Sequence, residues 1–283
     1  MKKIALLALS MAAVIGLTAC GNQLSVNKAT YKQSGMVAVI KGKTAGHDTV
    51  HYTAATTKGS AKVNGDTYVV SVPASTKDQT VTIKAGSQKV TTKVKAAKAI
   101  MPYKQFATTF NQAVVATALP KDVQKQLQSA SKNKGQAPDI AAMTPAQKAA
   151  YAKQQQALQA AMVKAQTATK AQQLPTTATG LKQILKSDSG SIRANVQDGQ
   201  LIALTDVASV KAMKDKTKKT AFGTQFALLA TAAGANAKDV LKAFADEIKD
   251  ANSGSTTTKT ITSNGVKFNL GLSASDLYIY ITK

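Results

Sequence analysis

The period of the hydrophobic pattern changes from strand to helix near residues 96–101, and that change restricts what this chain can fold into. Upstream of it, apolar residues alternate with polar ones, as in Tyr68-Val69-Val70-Ser71-Val72 and Val81-Thr82-Ile83. Lysine and threonine take the positions between, so one face of each run is apolar and the other is wet. Strand-type runs are expected at 37–41, 49–53, 61–63, 67–72, 80–84 and 89–95. Asn64-Gly65-Asp66 and Ala85-Gly86-Ser87 supply turns between them. Short strands at this spacing predict an antiparallel β-sandwich over residues 28–97.

Downstream the period becomes helical. Tyr103, Phe106, Phe110, Val114 and Thr117 share one helical face, with Pro102 suited to the first turn. Pro120 ends that helix and opens another through Val123 and Leu127, and residues 129–138 read as a loop. Thr144-Pro145-Ala146-Gln147 is a capping box with proline at the first helical position. A helix from there to about Gln173 has a length of about 45 Å and a thin apolar stripe of Tyr151, Leu158, Met162 and Ala165. The same Ala/Gln richness also suits a flexible linker. Residues 98–175 are thus expected to form a helical middle segment.

From 176 to 283 the sequence predicts a small α+β domain with helices on one face of an antiparallel sheet. Leu181, Ile184 and Leu185 have helical spacing, and Asp198-Gly199 and Asn264-Gly265 mark hairpins. Phe222, Phe226, Leu229 and Ala233 share one helix face, closed by Gly234. Val240, Leu241, Phe244 and Ile248 share another, with Asn236 as its cap, and Leu277, Ile279 and Ile281 form a last strand. The expected fold class is a multidomain α+β chain: sandwich, helical middle, small α+β domain.

The first twenty residues carry an address. Lys2 and Lys3 precede an apolar run, 4–17, that is too short for a hydrocarbon core needing roughly 20 apolar residues. A positive start, a short apolar stretch and small residues before a cut point are the marks of an export signal. Leu17-Thr18-Ala19-Cys20 resembles the lipobox of bacterial lipoproteins, and Cys20 is the chain's one cysteine. The resemblance implies removal of residues 1–19 and lipidation of Cys20 with acyl chains such as palmitate. It further implies a tether over 20–27 and a lipid-anchored place on the outer face of a bacterial, Gram-positive-type cell membrane. Residues 25–97, through Ile40-Lys-Gly-Lys-Thr44, Thr67-Tyr-Val-Val-Ser-Val-Pro73 and Thr80-Val-Thr-Ile-Lys-Ala85, resemble bacterial immunoglobulin-like modules of surface proteins. Such modules act as spacers or adhesive units and bring no catalytic residues. The C-terminal part is similar only in general terms to C-terminal domains of Gram-positive lipoproteins.

Charge is the strongest compositional signal: 37 basic residues against 14 acidic ones, a formal net charge of +23. Almost all of it is lysine, for Arg193 is the one arginine. Lysine is a compact, hydrated point charge, whereas base-edge reading favours arginine, so no specific nucleic acid is expected as a partner. Few aromatics and no tryptophan weigh against stacking sites. His47 and His51, with Asp48 beside them, make too small a ligand set for a metal. The aspartates mostly occupy turn and cap positions, and no nucleophile or phosphate-loop fingerprint occurs. No catalytic residue, metal or cofactor is therefore expected.

The charge is densest at Lys211, Lys214, Lys216, Lys218 and Lys219. Read functionally, that cluster contacts polyanions of the cell envelope, such as anionic cell-wall polymers and lipid headgroups; read blandly, it is a solvated surface. The expected function is a non-catalytic, cationic, lipid-anchored surface protein. Two alternatives stand beside it: an accessory lipoprotein with a specific protein partner in transport, folding or phage exclusion, and an extracellular hydrolase.

Overall fold

The computed structural model describes residues 23–132, 139–188, 190–251 and 259–283. The expected leader over residues 1–19, with the lipobox-like Leu17-Thr18-Ala19, and Cys20 lie outside the described residues. The first part of the chain consists of β1 (Ser25–Val26), β2 (Thr30–Tyr31), β3 (Val37–Lys43), β4 (Thr49–Thr53), β5 (Lys58–Asn64), β6 (Thr67–Pro73), β7 (Gln79–Ala85) and β8 (Gln88–Val94). Each strand run expected between 37 and 95 is present. The hydrogen-bonded order is β1-β3-β6-β5-β4-β7-β8-β2, antiparallel throughout except for β2 against β8.

β1 and β2 are separated by three residues yet sit at opposite ends of that order, so the chain crosses there from one half of the structure to the other. Polar contacts hold the crossing. Leu24 N–H donates to Gln88 Oε1 (2.6 Å), the Tyr31 hydroxyl donates to the Lys41 carbonyl (2.9 Å), and the Tyr68 hydroxyl donates to the Ser25 carbonyl (2.7 Å). Between the halves lie Ile40, Val50, Tyr68, Val70, Val72, Val81, Ile83 and Val94. The alternation in β6 and β7 puts these side chains inside and the lysines and threonines outside. Each full burial contributes about 1.5–3 kcal/mol.

The rest of the described chain builds one further core. Its elements are β9 (Met101–Pro102), α1 (Tyr103–Thr117), α2 (Lys121–Lys132), α3 (Pro145–Thr169), β10 (Gly180–Lys186), β11 (Ser191–Gln197), β12 (Gln200–Ser209), α4 (Val210–Lys214), α5 (Lys216–Ala232), α6 (Ala237–Ala251), β13 (Ile261–Ser263), β14 (Val266–Leu272) and β15 (Asp276–Thr282). The sheet runs β10-β11-β12-β15-β14-β13, with β9 paired to the start of β12. Asp198-Gly199 and Asn264-Gly265 turn two of its hairpins with positive φ at both residues, the geometry these pairs favour.

Helices cover one face of this sheet. Phe226 lies at the centre, its ring edge-on to Phe244 (5.4 Å) and Phe268 (5.9 Å). Tyr103, Phe106, Phe110 and Val114 of α1 enter the same core. The helix expected in a separate middle segment thus packs with the C-terminal sheet. The Tyr103 hydroxyl donates to the Pro175 carbonyl, and Asn111 exchanges two hydrogen bonds with the backbone of Leu174, so both ends of the middle segment close on α1.

α3 is a continuous helix of 25 residues, about 38 Å long, started by the capping box at Thr144 and Gln147. A 3-10 turn at Lys170–Gln172 shortens it relative to expectation. Leu158, Met162 and Ala165 pack on Val115, Leu119 and Val123, while Tyr151 lies outside that cluster.

Residues 129–132, expected in a loop, continue α2, and two further expectations need correction. Leu181, Ile184 and Leu185 belong to strand β10, not to a helix. A register shift between Gln183 and Leu185 makes a bulge, and Ile184 and Leu185 both turn inward. Two adjacent buried residues preceded by Leu181 reproduce helical spacing in a strand. On α6, Leu241 is exposed rather than part of the buried face; Val240 and Phe244 carry the packing. The Ile248 side chain lies outside the described residues.

Candidate anion-binding surface

Ser209 ends β12 and caps α4, its Oγ accepting from Ala212 N–H (3.0 Å). Five residues of helix later, Asp215 caps α5 by accepting from Lys218 N–H (3.0 Å). These two caps set a break between α4 and α5, and around that break stand Lys211, Lys214, Lys216, Lys218 and Lys219. All five are exposed, and among the described residues none of them forms an ion pair. By contrast, Lys95 pairs with Asp78 (2.9 Å), whose other oxygen accepts from Ala96 N–H. That N–H and the Lys95 ammonium hold the Asp78 carboxyl below its usual range.

Lys216, Lys218 and Lys219 stand at the N-terminal, positive end of α5. A cation there costs about 0.3–1 kcal/mol, whereas an anion is favoured by a similar amount. Helix stability therefore does not account for their position. Behind Lys218 and Thr217 opens a cavity of about 490 Å³, floored by Phe110, Val114, Leu185 and Leu228.

His51 is exposed on β4 and His47 is half-buried beside Gly86. Among the described residues no group of three or more His, Cys, Asp or Glu side chains is arranged to hold a metal.

Two further features emerge only from the folded chain. The first is Asp206, which is fully buried on the helix-covered side of β12. Its Oδ1 accepts from Gln225 Nε2 (2.7 Å), and its Oδ2 has no hydrogen-bond partner among the described residues. Burial pushes its carboxyl up to about 8, against the opposing hydrogen bonds from Gln225 and the Val207 backbone. Nothing in the local sequence Thr205-Asp206-Val207 distinguishes this residue from a turn aspartate.

The second is a cleft of about 530 Å³ between the 34–39 segment of the β-module and the helix-free face of the second sheet. Strand register lines up Asn269, Tyr280, Thr205, Arg193 and Gln183 across that face. Asn195, two residues from Arg193, fixes one end of the cleft: its Nδ2 donates to the carbonyls of Met36 (3.2 Å) and Ala74 (2.8 Å). Gln197 Nε2 in turn donates to Asn195 Oδ1 (2.8 Å). The rings of Tyr278 and Tyr280 lie parallel, 6.1 Å apart and 7° from coplanar directions. Burial, with Tyr278 alongside, raises the Tyr280 hydroxyl, and Arg193 partly offsets this. Low aromatic content had argued against stacking sites, but composition does not register two tyrosines alternating onto one sheet face. The signals that were available are the unique arginine and the Tyr-x-Tyr spacing.

No protein-family profile matches the chain, and no curated protein matches it at a significant level.

Proposed function

We propose that this is a non-catalytic, lipid-anchored protein of the bacterial cell surface whose lysine-rich α4–α5 corner binds anionic envelope polymers. The observation that carries the reading is that corner: five exposed lysines within nine residues, without ion pairs among the described residues, three of them at the start of α5, where the helix end already favours an anion. The lipobox resemblance at Leu17-Thr18-Ala19-Cys20 supplies the anchor, and α1 to α6 include no helix long and apolar enough to cross a membrane. An immunoglobulin-like identity for the β-module belongs to the same reading. Supporting it are the order β1-β3-β6-β5-β4-β7-β8-β2 and the switch of the first strand between halves, which gives β2 its parallel place beside β8.

The test is binding to purified teichoic acid and to anionic vesicles across a salt series. Affinity should fall steadily with rising salt as neutralised phosphates release counterions. Replacing the five lysines by Gln should weaken binding and flatten the slope, with the melting temperature unchanged. Equal binding by that variant would reduce the corner to a solvated surface.

A further inference from the structure

We propose that the cleft between the β-module and the helix-free face of the second sheet binds an acidic saccharide. In this site Arg193 holds the sugar's carboxylate, and Tyr278 and Tyr280 carry its ring. The site uses none of the lysines of the α4–α5 corner, so the two readings stand or fall separately.

Four observations converge on it. Arg193 is the single arginine beside 36 lysines, it is the one charged side chain lining the cleft, and among the described residues it forms no ion pair. A guanidinium presents a planar donor fork that fits a carboxylate in two places at once, which a lysine does not. Next to it on β12, Thr205 is 2 % exposed, lines the same cleft, and leaves its Oγ1 without a hydrogen-bond partner among the described residues. Buried hydroxyls are almost always bonded, and a ligand hydroxyl in the cleft would complete this one.

The aromatic floor is held in place. A Cβ at Gly35 would come within 2.8 Å of Tyr280 Cδ1, and one at Gly271 within 3.0 Å of Tyr280 Cε2. A side chain at Gly35 would push the Tyr280 ring aside and one at Gly271 would crowd it, and Gly35 also has φ +61°, a conformation that favours glycine. With Tyr278 parallel to it, the pair offers a rigid apolar surface with polar tips. The rest of the lining is uncharged: Ser34, Asn269 and the tyrosine hydroxyls offer hydrogen bonds, and Met36, Val37, Val39, Leu181 and Leu270 are apolar.

The cavity size falls within the range that holds small ligands, and junctions between folded units are a preferred place for them. One cation, a few neutral hydrogen-bonding groups and an aromatic and aliphatic wall match a sugar ring, which has apolar C–H faces and hydroxyl edges, bearing a single carboxylate. A ligand dense in phosphate would find too little positive charge here and belongs at the lysine corner.

The experiment is calorimetric titration of the full chain, kept in detergent, with tetragalacturonate and with the uncharged tetrasaccharide galactotetraose. The acidic probe should bind one-to-one and the neutral one at least about tenfold more weakly. Arg193→Gln, at an exposed position, should lower affinity for the acidic probe by about tenfold or more. Thr205→Val keeps shape and removes the hydroxyl; it should lower affinity without lowering the melting temperature. Tyr278→Ala should also weaken binding, and the five-lysine Gln variant should bind tetragalacturonate as wild type does. No binding of tetragalacturonate, equal binding of the neutral sugar, or unchanged affinity in Arg193→Gln overturns the proposal. So does loss of binding in the five-lysine variant with Arg193→Gln unaffected, which would assign the acid to the lysine corner instead.

Discussion

Replacing Asp206 by Asn should change how the stability of the second unit depends on pH. A carboxyl raised to about 8 in the folded chain ionises at about 3.9 when unfolded. Between those values the native state keeps a proton that the unfolded state has released. Stability must therefore fall as pH rises from about 4 to about 8, then level off once both states are ionised. At about 1.36 kcal/mol per unit, four units amount to on the order of 5 kcal/mol above pH 8 and about 4 at pH 7. Asparagine keeps an oxygen to accept from Gln225 and does not titrate. Urea unfolding of both proteins, followed by the helical circular-dichroism signal, reads the difference. All helices among the described residues belong to the second unit, so that signal reports on the right core. Wild type and Asp206→Asn should be of similar stability near pH 4.5, and the variant should be several kcal/mol more stable near pH 8.5. A difference between them that stays the same at both pH values would refute the burial argument.

Three more expectations follow from the packing and the leader. Phe226→Ala, at the meeting point of Phe244 and Phe268, should cost roughly 3–5 kcal/mol in chemical unfolding; a loss below about 1 kcal/mol would remove that ring from the centre of the core. A fragment of residues 98–283 should melt cooperatively, whereas 176–283 should not, because it lacks β9 and the Tyr103, Phe106 and Phe110 side chains; identical melts for the two would contradict the shared core. Cys20→Ser should move the exported protein from the membrane to the soluble fraction, since two acyl chains are what make such anchoring stable, and equal membrane retention would end the lipoprotein reading.

What the sequence disclosed, and what it withheld, follows the range of the interactions involved. Alternation in β6 and β7, the capping box at Thr144 and the two x-Gly hairpins are encoded within a few residues, and each appears in the structure where expected. β10 was misread because a bulge turns Ile184 and Leu185 inward together, and a bulge is decided by the partner strand. The place of α1 was hidden for the same reason: its apolar face is visible, but not which surface receives it. The lysine corner could be read as a cluster, though not its position at a helix end. The unique arginine and the Tyr-x-Tyr spacing are visible in the sequence, but not the cleft, because Gly35, Arg193, Thr205 and Tyr280 meet only through strand register and the Asn195 contacts.

The place of β15 sets the order in which the second unit can form. This strand follows β10 to β14 in sequence, yet it lies between β12 and β14 and pairs with both. Until residues 276–282 have been made, β10–β12 and β13–β14 are two separate ribbons, and α1, made about 160 residues earlier, has only part of a surface to dock on. Closing such long loops is slow relative to local pairing. The β-module has no such wait, since each of its strands finds its partners within residues 25–94. Synthesis thus delivers one finished module and a long unfinished remainder, which stays threadable until β15 arrives.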